Sequence, residues 1–429
     1  VHIRLYISEN FANNYPGYAE HIEYVLGIME KLGSLSGKIS LEVLNPTPYS
    51  IAAQEAENYG LEPILDNNGN VLYFGAVLIS SDEKTKVIPL FLKERQNEVE
   101  SDIVLAVHEV SEGDKKPVLG IAAPNLPLLR KTYDDDFANS AFLSELEKYY
   151  VLKDVGAERI PAEIKTVLLI GPHKISGTFR VALEQHILRG GNVIILADIY
   201  PEAEMEYASL INPPKVDINP FLSNFSLKMD EDMVAANQQR AGKVFMPEAG
   251  ISAFYNYPLW IDLQNNDIIQ DKIFRNVENL QMRSSGLIFQ LPDFAEKVED
   301  GEFVPLIVLQ ERNSTVSSEM MSRDNLALNK SLLKDFSDSA LLGAMVRGNF
   351  QIKRRTDPQS ENEIILSSSL EKGTIVLIAD SDFVLNEAAT DKDNSLDFSP
   401  YLFAPKNDNL QFLIDLIAYV ESVDVGQNI

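Results

Sequence analysis

Thr166-Val-Leu-Leu-Ile170 and Asn192-Val-Ile-Ile-Leu196 decide the fold class, because each is a short run of apolar residues. Between them, residues Thr178 to Leu188 are predicted to form a helix that leads through Gly190-Gly191 into the second run. Strands covered on both faces are apolar along their whole length, whereas half-exposed strands alternate. The strand, helix, strand order therefore predicts a parallel sheet wound with helices on both sides.

The same alternation extends over the second part of the chain. Val118 to Ala122 is predicted to be a strand and Ser140 to Tyr150 a helix. Near the end, an acidic loop joins the predicted strand Thr374 to Ala379 to an amphipathic helix, Asn409 to Val420. We therefore expect residues 117–429 to form a doubly wound, flavodoxin-like α/β domain.

The pattern weakens between about residues 201 and 349, and we expect an irregular insertion there. Several prolines interrupt this segment: Pro213, Pro214, Pro220, Pro247 and Pro258. Strand character returns at Gly286 to Gln290 and at Val304 to Gln310.

The first 113 residues are predicted to form a separate α/β domain. Its strands and helices are expected, in order, at His2 to Ile7, Tyr18 to Leu35, Ile39 to Leu44, Ser50 to Tyr59, Val71 to Ser80, Thr85 to Phe91 and Glu98 to Glu109. This β-α-β-α-β-β-α order is that of a thioredoxin-like fold. No thiol follows the first strand, so the domain would be a scaffold without redox chemistry. The polar stretch Ser111 to Lys116 marks the domain boundary.

Composition excludes several classes of function. The 429 residues include 37 basic and 64 acidic side chains, and the net charge of −27 would repel nucleic acids and anionic lipid headgroups. The chain has no cysteine, which excludes disulfides, thiolate metal sites and cysteine nucleophiles. No apolar run approaches the roughly 20 residues that cross a bilayer. The chain opens at Val1 without a signal sequence, so a signal or anchor was either removed or never present.

Several segments resemble one protein family. They are Val71 to Leu78, Val87 to Phe91, Val99 to Ile103, Lys116 to Ile121, Asn219 to Leu222, Met229 to Val234, Gly373 to Phe383 and Asp408 to Leu413. Together they resemble the auxiliary subunits of bacterial ABC-type transport systems related to the gliding-motility protein GldG. The strand, Asp-x-Asp-Phe loop and Asn-led helix at the end are similar to class I glutamine amidotransferase-like domains of non-enzymatic type.

The resemblance implies a location and a set of partners. It implies the soluble, periplasmic or otherwise extracytoplasmic portion of an inner-membrane protein whose anchor lies outside this region. The implied partners are permease and ATPase subunits of an ABC transporter or other envelope proteins. It implies neither a catalytic role nor a cofactor, and no nucleic-acid partner.

The candidate ligand or partner edge lies at the carboxyl ends of the predicted parallel strands, where open α/β sheets place their ligand sites. Asp380, Asp382 and Phe383 follow one strand, His173 follows another, and Asn409 begins the last helix. Asp380 and Asp382 could hold a cation or a hydroxylated ligand, or they could bond loop amides as Asp often does in turns.

Three other polar motifs do not match known ligand-binding loops closely enough to predict a site. Asp391, Asp393 and Asp397 have the spacing of a calcium loop, but Leu396 and Leu402 stand where such a loop needs Gly and Glu. A solvated acidic loop is the favoured interpretation, as it is for Asp134-Asp135-Asp136. Gly190-Gly191 joins a helix to a strand, which is the wrong order for a phosphate-binding loop.

The leading functional hypothesis is a non-catalytic binding and scaffold module, because amidotransferase chemistry needs the cysteine that the chain lacks. One alternative is a hydrolase or carbohydrate-active enzyme that uses carboxylates at the sheet edge. Another is a solute-binding protein with a cleft between its two domains.

Overall fold

The chain divides into two units, Val1–Lys116 and Pro117–Ile429. A computed structural model describes the whole chain except residues 36–37, 67, 113–115, 125–140, 156–159, 203–213, 247–252, 269–272, 275–276, 311–312, 322–331, 337–338, 353–365, 385–406 and 423–429. Each unit has its own hydrophobic core, and the two are described separately.

Unit 1 contains a four-stranded sheet and a small hairpin. In chain order its elements are β1 (His2–Ile7), α1 (Phe11–Asn14), α2 (Ala19–Leu35), β2 (Ser40–Leu44), α3 (Ile51–Tyr59), β3 (Ile64–Leu65), β4 (Val71–Leu72), β5 (Phe74–Ile79), β6 (Thr85–Ile88) and α4 (Val99–Glu112). The sheet order is β2-β1-β5-β6, with β1 parallel to β2 and antiparallel to β5. Short 3-10 turns precede α2 and α4.

The ends of α3 follow from its sequence. Ser50 adopts an extended conformation and its hydroxyl accepts a hydrogen bond from Ala53 N at 3.1 Å, which satisfies one of the free amides of the first turn. Gly60 ends the helix in the left-handed region at φ 81°, which glycine adopts without a steric penalty.

The single strand predicted over Val71 to Ser80 is divided in the structure. Val71–Leu72 pairs with Ile64–Leu65, whereas Phe74–Ile79 pairs with β1 and β6. The division falls at Tyr73, whose N–H donates to Ser8 Oγ at 2.9 Å and whose carbonyl accepts from Ser8 N at 3.0 Å. β4 is joined to β3 by a tight turn, in which Asp66 Oδ1 accepts hydrogen bonds from Asn68 N and Asn70 N, each at 2.8 Å. That turn folds the chain back on itself before β5 begins.

Unit 2 contains most of the chain. Its elements are β7 (Val118–Ala122), α5 (Ala141–Leu146), β8 (Val151–Asp154), β9 (Thr166–Ile170), α6 (Gly177–Leu188), β10 (Asn192–Leu196), α7 (Asn219–Leu222), β11 (Leu227–Ala236), β12 (Ala241–Met246), β13 (Ala253–Gln264), β14 (Asn279–Arg283), β15 (Gly286–Gln290), α8 (Phe294–Lys297), β16 (Val298–Leu309), β17 (Asn313–Ser317), β18 (Lys334–Phe336), β19 (Ala340–Phe350), β20 (Gly373–Ile378) and α9 (Asn409–Ser422).

The main sheet of unit 2 has seven strands in the order β16-β19-β20-β10-β9-β7-β8. Five adjacent strands are parallel to one another: β8, β7, β9, β10 and β20. The long strands β19 and β16 extend the sheet in antiparallel fashion at one side. The parallel α/β sheet expected from the apolar runs is therefore present, although the full sheet is mixed.

Helices cover both faces of the parallel part. On one face, α6 packs through Leu183, Ile187 and Leu188 in the same core as Val193 and Leu377. On the opposite face, α5 and α9 share a second core with the alternate residues of the same strands: Phe142, Leu143, Leu146, Phe412, Leu413, Leu416, Ile417, Leu168, Ile194 and Val376. Each fully buried aliphatic side chain contributes about 1.5 to 3 kcal/mol to the free energy of unfolding.

The segment expected to be an irregular insertion contains regular antiparallel strands instead. One sheet has the order β15-β11-β17-β18 and another the order β12-β13-β14. Pro258 lies inside β13, and the nearby Tyr257 and Trp260 of this strand are buried. Proline cannot donate a ladder hydrogen bond and is tolerated at irregular places in a strand. The register of β12 against β13 shifts beside Pro258, which is such an irregular place. The proline therefore does not end the strand, although in the sequence it indicated a break.

Among the described residues, no helix is both long and apolar enough to cross a membrane.

Candidate functional site

Two neighbouring parallel strands bring two aspartates to the same edge of the unit 2 sheet. Leu196 of β10 and Ile378 of β20 are register partners, and Ala197 N donates a hydrogen bond to Ile378 O at 3.0 Å. Asp198 and Asp380 each follow two residues later. Because parallel strands end at one edge, both side chains emerge at the carboxyl end of the sheet.

Asp382 completes a cluster of three carboxylates. One carboxylate oxygen from each of Asp198, Asp380 and Asp382 lies within 4.8 Å of the others. All three residues are buried, with exposed fractions of 4%, 0% and 1%. Buried ionisable groups of one sign are costly and are rarely found without a compensating partner. We call these three residues the carboxylate cluster.

Main-chain amides hold the cluster in place. Asp380 accepts hydrogen bonds from Arg283 N at 2.6 Å and Phe383 N at 3.0 Å. Asp382 Oδ2 accepts from Glu202 N at 2.8 Å. Asp198 Oδ2 accepts from both the main-chain N–H and the hydroxyl of Ser381, each at 2.6 Å. The cluster therefore ties together the ends of β10, β20 and β14.

A second polar group lies next to the cluster. Glu202 accepts hydrogen bonds from Trp260 Nε1 at 2.8 Å and from the hydroxyl of Ser284. The guanidinium carbon of Arg283 lies 4.2 Å from the centre of the Trp260 ring, as in a cation–π contact. The same guanidinium donates through Nε and Nη2 to Gln281 Oε1, each at 3.3 Å.

Burial shifts the protonation of the cluster. It raises the pKa of Asp380 to about 7, because desolvation penalises the charged form, while the amides of Arg283 and Phe383 and the Arg283 charge act in the opposite direction. Burial also raises the pKa of Asp198 well above its usual range, and the charges of Asp380 and Asp382 add to that shift. Burial therefore disfavours the charged form of both Asp198 and Asp380.

Four of the five sequence-predicted edge residues come together. Asn409 Nδ2 donates to Phe383 O at 3.2 Å and to Gln281 O at 2.9 Å, and Asn409 Oδ1 accepts from Gln281 N at 3.0 Å. The Phe383 ring packs edge-on against Phe412 of α9, with ring centres 5.7 Å apart. These two residues therefore brace the loop that carries Asp380 and Asp382, and Phe383 is fully buried rather than offered to a ligand.

His173 is placed differently. It follows β9 at the same sheet edge, and its main-chain carbonyl accepts a hydrogen bond from Asp217 N at 2.7 Å. The described carboxylate cluster has three members and His173 is not one of them. The acidic stretches at 134–136 and 391–397 lie outside the described residues, so their interpretation as solvated loops stays a prediction.

Sequence reasoning missed Asp198, Glu202, Trp260 and Arg283. Asp198 carried a usable signal, because Leu196-Ala197-Asp198 repeats the pattern of Ile378-Ala379-Asp380 after a similar apolar run. No sequence signal pointed to Glu202 or Arg283. Arg283 reaches the cluster at the end of the antiparallel strand β14, and Glu202 follows β10 by several residues.

The donor set defines what this site could hold. Carboxylate oxygens are the ligands that hard cations such as Ca²⁺ and Mg²⁺ prefer, whereas soft metals prefer the thiolates that this chain lacks. For acid and base catalysis, the carboxyl groups of Asp380 and Asp382 would have to reach a substrate. In the structure they face inward onto main-chain amides and are closed off from solvent.

Comparisons with known proteins give one family match. The family model described as "ABC-type uncharacterized transport system" matches residues 116–415, which include the whole seven-stranded sheet and the carboxylate cluster. A search of curated proteins found no matching sequence.

Two solved structures show limited likeness. A ThuA-like protein of Bacteroides uniformis ATCC 8492 is 11% identical, with a TM-score of 0.32, over 72% of this chain and 92% of its own. A polyextremophilic beta-galactosidase of the Antarctic haloarchaeon Halorubrum lacusprofundi is 12% identical, with a TM-score of 0.26, over 74% of this chain and 35% of its own. Since both scores lie below 0.5, neither supports a conclusion about fold or function.

Proposed function

The chain belongs to the ABC-type uncharacterized transport system family as an auxiliary component, and from this premise we propose that it is a non-catalytic, extracytoplasmic binding and scaffold portion of such a system. Its expected partners are permease and ATPase subunits or other envelope proteins. The sequence resemblance to GldG-related auxiliary subunits supports this proposal. We further propose that the native protein is anchored in the inner membrane outside this region.

The observation that carries the non-catalytic part is the inward orientation of the predicted acidic edge. Asp380 and Asp382 are buried to 1% exposure or less and bond the main-chain amides of Arg283, Phe383 and Glu202. Hydrogen bonds that main-chain amides donate to carboxylates are strong and hold a loop in one conformation. This geometry supports a structural brace at the end of the sheet and offers no open pair of carboxyls to a substrate.

We also propose that unit 1 is a thioredoxin-like scaffold. The strand order β2-β1-β5-β6, with one parallel and two antiparallel pairings, supports this assignment. The sequence after β1, Ser8-Glu9-Asn10-Phe11, offers no thiol for redox chemistry. Its surface is then available for protein contacts. For unit 2 we keep the amidotransferase-like assignment as a proposal, supported by the resemblance of Gly373 to Phe383 and Asp408 to Leu413.

The absence of cysteine from this chain makes the proposed location directly testable. Leu370, which is 68% exposed, would be replaced by Leu370→Cys in the full-length protein, with any cysteine outside these 429 residues changed to serine, and buried Leu377 by Leu377→Cys as a matched control. A membrane-impermeant maleimide is applied to cells whose outer envelope admits it. We expect Leu370→Cys to be labelled in intact cells and Leu377→Cys only after denaturation. Labelling of Leu370→Cys only after lysis would refute the extracytoplasmic location.

A further inference from the structure

We propose that Asp198, Asp380 and Asp382 bind one hard divalent cation of the Ca²⁺ and Mg²⁺ class at the carboxyl end of the parallel sheet in unit 2. The proposed ion is structural, since it would hold together the loops that follow two strands, β10 and β20. The proposal does not depend on the location or the partners of the protein.

An unpartnered oxygen is the first observation that points to an ion. Asp198 Oδ1 is buried and accepts no hydrogen bond from any described residue, whereas Oδ2 of the same carboxylate accepts two from Ser381. A buried polar atom left without a partner loses its hydration without compensation, and the penalty is larger for a charged group than for a neutral one. A cation beside Asp198 Oδ1 would remove that penalty.

The spacing of the three carboxylates is the second observation. One oxygen from each lies within 4.8 Å of the others. Ca²⁺ binds oxygen at about 2.3 to 2.6 Å, so two of its ligands can stand up to about 5 Å apart. Mg²⁺ binds at about 2.0 to 2.1 Å, which limits that separation to roughly 4.2 Å. The limit of 4.8 Å on these separations is therefore close to what the ligands of one Ca²⁺ span, and Mg²⁺ would need the oxygens to be nearer to one another than this limit.

The balance of charge is the third observation. Three carboxylates and the neighbouring Glu202 are buried together, and Arg283 is the cation whose charge acts on Asp380. The Arg283 guanidinium is already engaged by the Trp260 ring and by Gln281. Buried charges of one sign must be neutralised by protons or by a counterion.

The cluster is also preorganised, as a metal site requires. Backbone amides of Arg283, Phe383 and Glu202 and both donors of Ser381 fix the three carboxylates from outside. An ionised carboxylate has about four acceptor positions, so these bonds leave lone pairs for a cation. Outer hydrogen bonds that orient the ligands are typical of protein metal sites.

The single tryptophan of the chain gives a built-in reporter. Trp260 is 1% exposed and its Nε1 bonds Glu202, whose own amide bonds Asp382. The 429-residue chain would be stripped with EDTA and then titrated with CaCl₂ or MgCl₂ alone. We would record tryptophan emission, binding heat and the thermal unfolding midpoint. We expect a saturable emission change with one ion per chain and a higher midpoint for at least one of the two ions.

Variants separate this site from nonspecific binding. Asp198→Asn keeps an oxygen for the Ser381 donors but removes a charged ligand, and we expect it to weaken binding about tenfold or more, since even outer-shell changes cost 10- to 100-fold. Asp335→Asn changes an exposed carboxylate of β18 and should bind like the unchanged chain. If Asp198→Asn does not fold, Asp382→Asn replaces it. Absence of any response to either ion up to millimolar concentration, or equal binding by the cluster variant and the unchanged chain, would overturn the proposal.

Discussion

Asp198 and Asp380 stand side by side because each lies two residues beyond a member of one registered pair, Leu196 and Ile378, on neighbouring parallel strands. Ser381, the residue after Asp380, links the two positions further, because both its amide and its hydroxyl donate to Asp198 Oδ2. A loop after β20 is thereby fixed to the loop after β10. The carboxylates at this edge hold the sheet end together.

Asp380 should be required for the stability of unit 2. Asp380→Ala leaves the buried amides of Arg283 and Phe383 without acceptors, and we expect the free energy of unfolding to fall by about 2 to 4 kcal/mol. Chemical denaturation of the full chain measures this change. Asp335→Ala, at an exposed position, should change the free energy by less than about 0.5 kcal/mol. A similar small effect for both variants would contradict the bracing role.

Asn409 should tolerate neither truncation nor a change of its amide to a carboxylate. Asn409→Ala removes three hydrogen bonds at a fully buried position, and we expect a loss of about 2 to 4 kcal/mol. Asn409→Asp would aim an acceptor at the carbonyls of Gln281 and Phe383, so its cost should be larger at pH 8 than at pH 5, where a protonated carboxyl can donate. Equal stability of Asn409→Asp at the two pH values, measured by denaturant midpoints and corrected for the unchanged chain, would refute this assignment.

The parallel strands of unit 2 could largely be predicted from the sequence, because a strand buried on both faces is a continuous run of apolar residues. β7, β9 and β10 have the predicted bounds, and β20 is shifted by one residue. β8 escaped notice because Val151–Asp154 is short and only Leu152 of its four residues is buried. Of the antiparallel strands between 227 and 350, β15 has the predicted bounds and β16 includes most of the predicted Val304 to Gln310. Others were not predicted, because prolines or long stretches without strict alternation obscure their pattern, as in β13 and β19.

The candidate site was only partly visible in the sequence. Asp380, Asp382, Phe383 and Asn409 are near in space because a loop and the helix after it begin at one sheet edge. Asp198 could have been found from the repeated Ala-Asp ending of two apolar runs. Arg283 could not, because its approach depends on the pairing of β14 with β13, which no local pattern predicts.

Gly373 should be irreplaceable for a steric reason. A Cβ at this position would lie 2.2 Å from the main-chain oxygen of Ile187, so α6 could not approach β20 as closely as it does. We expect Gly373→Ala to lower the thermal midpoint of unit 2 by several degrees, equivalent to about 1 to 3 kcal/mol. Gly27→Ala is a matched control, because the space beside Gly27 in α2 is open and alanine favours helix. A neutral Gly373→Ala would show that the close packing is not required.

His186 should make unit 2 sensitive to mild acid. Its Nε2 donates to Lys165 O at 3.0 Å, and burial lowers the pKa of the ring. The unfolded chain takes up a proton near pH 6.5 while the folded chain does not, so stability falls as the pH drops below that value, by up to about 1.4 kcal/mol per pH unit. Asp198 and Asp380 act in the opposite direction in this range, so the expected difference lies between chains: in denaturant titrations, His186→Gln should lose less stability, or gain more, from pH 8 to pH 5 than the unchanged chain. An unchanged slope in the variant would assign the effect to other groups.

Recovery of partners from native membranes tests the central claim most directly. The full-length protein would be tagged, crosslinked in intact cells, purified and analysed by mass spectrometry, with an unrelated tagged inner-membrane protein as the control. The account predicts that a permease and an ATPase subunit of one ABC-type transport system are enriched over the control. Recovery of the tagged protein without either subunit, under conditions that preserve other envelope complexes, would contradict it.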